Sequence, residues 1–121
     1  MKKVRFDPKR MKRVDIKQGR HIVWVDVLLS EPEGTIIIEE WRPEEPAEDE
    51  YTFYHSEVHY ALSGKAEVTY SMPPFYNKWE TLTVEQGDSY LIPKGLCWKR
   101  KALGKEPYRH LCVIMPGLPG W

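Results

Sequence analysis

The sequence predicts an all-β sandwich or barrel in a single domain, and three observations carry that prediction. Apolar, often β-branched residues alternate with polar ones over short runs; glycine- and proline-bearing turns separate the runs at close spacing; and no segment sustains a helical period. At 121 residues the chain has the size of one domain, enough to bury a core without a disulfide staple. The formal net charge is zero, so no field of one sign gathers nucleic acid or a membrane, and neither is expected as a partner. Cys97 and Cys112 sit in apolar, strand-like surroundings that suit buried thiols better than a disulfide. With no run of about twenty apolar residues and no signal-peptide core, a cytoplasmic protein is expected.

Residues 1–18 open on a basic run, Lys2, Lys3, Arg5, Lys9, Arg10, Lys12 and Arg13, which reads as a solvated arm. Residues 19–117 hold the barrel and 118–121 a tail. The segment from His21 to Leu29 is rich in β-branched and aromatic residues and reads as one strand, available for pairing across a two-fold homodimer. Glu33-Gly34 turns the chain into Thr35 to Trp41, a second strand with Ile37, Glu39 and Trp41 on one face. Glu44, Glu45, Glu48, Asp49 and Glu50 around Pro43 and Pro46 make an acidic exposed loop. Later strands are expected at Trp79 to Val84, Ser89 to Ile92, Leu96 to Leu103 and Tyr108 to Met115, with turns at Gln86-Gly87-Asp88 and Pro93-Lys94-Gly95.

The stretch from Tyr54 to Tyr70 reads as a β-hairpin turning at Ser63-Gly64. Side chains alternate along a strand, so His55, Glu57 and His59 share a face. Three ionisable groups pointing one way suit a metal site or an acid/base pair.

These residues resemble the cupin superfamily, the RmlC-like jelly rolls. Glu57, six residues and Gly64 match the end of the first cupin motif, and Gly87, Pro93 and Gly95 fall in register with the second. The resemblance spans roughly Thr35 to Met115. It selects, among all-β folds, the cupin double-stranded β-helix, a jelly-roll barrel, and it implies that Glu57 points into the barrel with His55 and His59 beside it. The positions of the first-motif histidines hold Tyr51 and Phe53, or Glu50 and Thr52 with the longer spacing, that of the second-motif histidine holds Trp98, and that of the asparagine holds Ala102. Glu57, Tyr90 and the closing segment LCVIMPGLPG are more distantly similar to the ectoine synthases, which implies Glu57 and Tyr90 as iron ligands and a cyclisation with loss of water.

On the last strand His110, Cys112 and Ile114 share one face, and if it is inward His110 approaches Glu57 from a second direction, as an open metal site prefers. The expected site is therefore a divalent metal, iron, zinc or manganese, held by His55, Glu57, His59 and His110. Glu57, Tyr90 and His110 would act on a small polar substrate, and Phe53, Trp98 and Cys112 would wall the pocket. The expected function is that of a metal-dependent lyase or cyclase. Two alternatives share these residues: a metal-free isomerase or epimerase that moves protons through Glu57 and a histidine, and a non-catalytic ligand-binding or sensor module.

Overall fold

The computed structural model describes residues 1–15, 22–45 and 50–121. His21, Glu48, Asp49 and the boundary between arm and barrel lie outside the described residues. Two antiparallel sheets face one another. The larger runs β1 (Lys12–Asp15), β2 (Ile22–Glu31), β3 (Gly34–Trp41), β10 (Tyr108–Ile114), β5 (Glu57–Ser63), β8 (Ser89–Ile92), in that spatial order. The smaller runs β4 (Tyr51–Thr52), β9 (Cys97–Leu103), β6 (Lys65–Ser71), β7 (Trp79–Glu85). Between them Val25, Ile37, Trp41, Val68, Ile92, Trp98, Tyr108 and Ile114 form one continuous core. Among the described residues no helix is long and apolar enough to cross a membrane.

The Tyr54 to Tyr70 stretch is not a hairpin. β5 pairs with β10 and β8, whereas β6 pairs with β9 and β7 in the opposite sheet. The chain crosses between layers at Gly64, which has a φ of 78° and no room for a side chain, since a Cβ there would sit 2.1 Å from the carbonyl oxygen of Pro107. Alternation fixes which face of each strand is apolar, but two such strands can pair edge to edge or stack face to face. Stacking seals both Ala61 and Ala66 completely.

The N-terminal segment is more ordered than a solvated arm. It makes a short 3-10 turn at Pro8–Arg10, and β1 pairs with the β2 edge in register Lys12↔Val25. Its anchor is Asp26, a buried carboxylate on β2 that accepts hydrogen bonds from Arg10 Nη2 at 2.9 Å and Arg10 Nε at 3.1 Å. A buried charge needs such partners, and the basic run supplies them.

Candidate metal centre

Strand β5 lies between β10 and β8, and the register brings Cys112, His59 and Tyr90 into one row across the three strands. Glu57 is opposite Ile114 and Ile92 in the next inward-facing row. Directly opposed side chains in such rows lie about 5 Å apart, so the ladder alone brings thiol, imidazole and phenol together. Strand β5 starts at Glu57 rather than at Tyr54, because its neighbours run out of ladder there: Pro93 follows Ile92 without an N–H to give, and Pro116 follows closely beyond β10. His55 therefore sits on a bend, not on the strand, yet its side chain still returns to Glu57.

Three side chains converge on the Glu57 carboxylate. His59 Nε2 donates to Oε1 at 2.9 Å, the Cys112 thiol donates to the same oxygen at 2.9 Å, and His55 Nε2 meets Oε2 at 2.6 Å. One donor atom each from Glu57, His59 and Cys112 lies within 4.8 Å of the others, and all three residues are buried. His59 Nδ1 is 3.1 Å from the Tyr90 hydroxyl, which is itself 2.9 Å from that of Tyr108. A neutral His59 that gives its Nε2 proton to Glu57 has only a lone pair at Nδ1, so Tyr90 is the donor there; a cation on Nε2 reverses that bond.

Electrostatics set the resting protonation of the cluster. Burial pushes the Glu57 carboxyl up, but hydrogen bonds and charge attraction from His59, the Cys112 thiol and His55 outweigh it and hold Glu57 below the usual range, as a carboxylate. The environment therefore holds Glu57 ready to accept a proton rather than to donate one. Burial pushes the Cys112 thiol up, helped by the charges of Glu39 and Glu57 and the bond to Glu57. Burial and Tyr108 raise Tyr90 likewise, so it stays a phenol.

His110 shares the barrel interior with Glu57 but not its cluster. Its ring stacks on His59 at 4.5 Å and on Tyr108 at 5.0 Å, and meets the edge of Trp41 at 4.9 Å. Its nearest acid is Glu39, whose Oε1 lies 3.7 Å from Nε2. Cys112, expected as wall, instead stands among the donors. Trp98 and Phe53 do wall the site, lining with Glu57 and His59 an inner cavity of about 50 Å³.

Glu39 and Arg100 line the same cavity and were not singled out by sequence. Desolvation raises the Glu39 carboxyl, and burial lowers the Arg100 guanidinium to about 10. Arg100 donates to the Ile22 carbonyl at 3.1 Å and lies 4.5 Å over the Trp41 ring. The available signal was parity: Glu39 shares a face with Ile37 and Trp41, and Arg100 shares one with Trp98.

Tyr51, Phe53 and Trp98 form an aromatic block. Tyr51 pairs with Trp98 across β4 and β9, Phe53 packs edge-on against Trp98 at 4.7 Å and against Tyr51 at 5.0 Å, and Trp41 closes on Trp98 at 5.6 Å. On the larger sheet Glu57, His59 and Cys112 stand on the adjacent strands β5 and β10.

No known family's sequence profile matches the chain, and no curated protein matches it by sequence. Solved structures do. A protein from Thermotoga maritima described as a predicted oxalate decarboxylase superposes with a TM-score of 0.73 at 17% identity, covering 95% of this chain and 99% of that one. KdgF from Halomonas sp. gives 0.64 at 15% identity, covering 93% and 94%. The Cnp3 cupin domain of Schizosaccharomyces pombe gives 0.64 at 20% identity over 85% of this chain, which spans 64% of that one. An RmlC-like cupin from Methanocaldococcus jannaschii with a double-stranded β-helix gives 0.68 at 12% identity, covering 97% and 92%. This protein thus has the cupin double-stranded β-helix fold.

Proposed function

We propose that this protein is a metal-dependent enzyme acting on a small polar metabolite, with Glu57, His59 and Cys112 as ligands and His55 at the open side of the site. The observation that carries it is the convergence of three ligand-forming side chains on one buried carboxylate. A thiolate, an imidazole and a carboxylate together suit zinc or iron better than manganese. Such an ion, when bound, polarises an oxygen of the substrate, the chemistry a lyase or a dehydrating cyclase needs. Around it Tyr90 fixes the orientation of His59 through Nδ1 and keeps its own proton. The Trp98 indole N–H, buried and without a hydrogen-bond partner among the described residues, is a donor for a substrate oxygen. His110 takes no ligand role in this reading.

The test is elemental analysis after loading with zinc or iron(II), wild type beside Glu57→Ala and Cys112→Ser, with cobalt(II) as the spectroscopic substitute. We expect near-stoichiometric metal in the wild type, loss in Glu57→Ala, and a thiolate-to-cobalt absorption band that Cys112→Ser abolishes. Absence of metal from the loaded wild type overturns the reading. A non-catalytic ligand-binding module is the second reading, favoured by the aromatic packing of Phe53 and Trp98 where ligand histidines would be expected; turnover of any compound in a metabolite screen eliminates it.

A further inference from the structure

A second cavity, of about 330 Å³, opens on the flank of the barrel between β7 and β8, the last strands of their respective sheets. Its floor is built from core side chains, Val68, Ile92, Leu96 and Trp98, each under a tenth exposed. Its rim is Met72, Leu82 and Leu91, all exposed. Among the described residues no charged side chain lines it. Two residues connect it to the metal centre. Trp98 lines both this groove and the inner cavity, and Tyr90 lines the groove while its hydroxyl reaches His59 at 3.1 Å. The rings of Tyr90 and Trp98 stand 6.5 Å apart, centre to centre, and form the partition.

The inner cavity, at about 50 Å³, has room for an ion with one or two small groups but not for a metabolite, because ligand sites run from about 300 Å³ upward. The groove has that size and adjoins the site. We infer that it holds the apolar body of the substrate, which would then be an amphipathic small molecule: an oxygen-donor head directed at the metal centre and a ring-sized aromatic or branched aliphatic body against Trp98 and Tyr90. This rests on the metal-centre reading above, and narrows its substrate class. Placing an apolar ring among such side chains is favourable in proportion to the area taken from water, and aromatic faces at the partition add preferred stacking geometries.

The probes are acetohydroxamate and benzohydroxamate, which share a metal-chelating head and differ in the ring, titrated calorimetrically into cobalt(II)-loaded protein. We expect benzohydroxamate to bind more tightly by about tenfold or more. Leu82→Asp, on the exposed rim of β7, should reduce that ratio to near one while leaving metal content and acetohydroxamate affinity unchanged. Equal affinities in the wild type overturn the groove inference alone. A preference that survives Leu82→Asp overturns it too, since the ring then lies elsewhere. A protein that takes up no cobalt fails at the earlier step and overturns the metal-centre reading, an outcome separable from the other two.

Discussion

His110 is the residue whose burial has the clearest thermodynamic consequence. It is fully buried, both ring nitrogens lack a hydrogen-bond partner among the described residues, and burial, then repulsion from His59 and Arg100, holds it well below 6.5. The native imidazole is therefore neutral where the unfolded one takes up a proton. Its contribution is intact above about pH 6.5 and is lost as pH falls toward the depressed native value, at up to ~1.4 kcal/mol per pH unit. Glu57, held below 4.5, adds a loss of the same sign only at more acid pH. His110→Leu should therefore flatten the fall in urea-unfolding stability between pH 6.5 and 5; an unchanged slope would mean that His110 titrates alike in both states. That Glu57 and His59 share a face was legible from alternation along one strand, and the cupin resemblance implied that this face is the inward one. Cys112 read as packing, since an apolar neighbourhood hides a thiol's partners, and Glu39 and Arg100 drew no functional reading, since a lone charge in a strand looks the same from sequence whether it meets water or a cavity.

Among the elements, the passage from β5 to β6 shows where sequence stopped short. Ser63-Gly64 correctly marked a reversal, but the pairing partners of the two strands come from chain segments far away, and no local signal chooses edge-to-edge pairing over stacking. The structure makes the choice testable through Gly64. Gly64→Ala combines a positive φ with a collision against the Pro107 backbone, and should cost roughly 3 kcal/mol or more, given that left-handed strain alone is about 1–2 kcal/mol. Gly87→Ala has the strain, at a φ of 94°, but meets nothing within 4 Å, and should cost only that smaller amount. Denaturant midpoints for both variants check it: equal losses would show that the approach of Pro107 to Gly64 does not constrain the crossing. The start of β5 was misplaced for a different reason, since the prolines that end its ladder lie on partner strands rather than in its own sequence.

For the whole molecule, the jelly roll was legible from turn spacing and the glycine framework, while its outer surface was not. Of the strand from His21 to Leu29, expected to pair across a dimer, Ile22 to Val25 are paired with β1 on one edge, and β3 takes the other edge from Trp24 onward. What the larger sheet leaves uncovered is an apolar row on its outer face. Leu91, Val58, Val113, Ile36 and Leu29 are successive register partners across five strands, beside Tyr60 and Leu111 in a second row. Leu91 is 66% exposed, Tyr60 46% and Val58 41%. The N-terminal segment covers the other end of this face, with Arg10 on Asp26 and Arg109 lying 4.9 Å over the Phe6 ring, and leaves these rows bare. Contiguous apolar surface of this kind is uncommon on monomers, and an apolar sheet face can meet its own two-fold image without matching charges. We therefore expect a homodimer packed back to back through this face. Sedimentation velocity at micromolar concentration should give a dimer for the wild type and a folded monomer for Val58→Lys/Leu91→Lys, because two lysines buried without counter-charges in each half of the interface cost more than the contact gains. A wild-type monomer, or a dimer that tolerates both lysines, places the partner surface elsewhere or removes it.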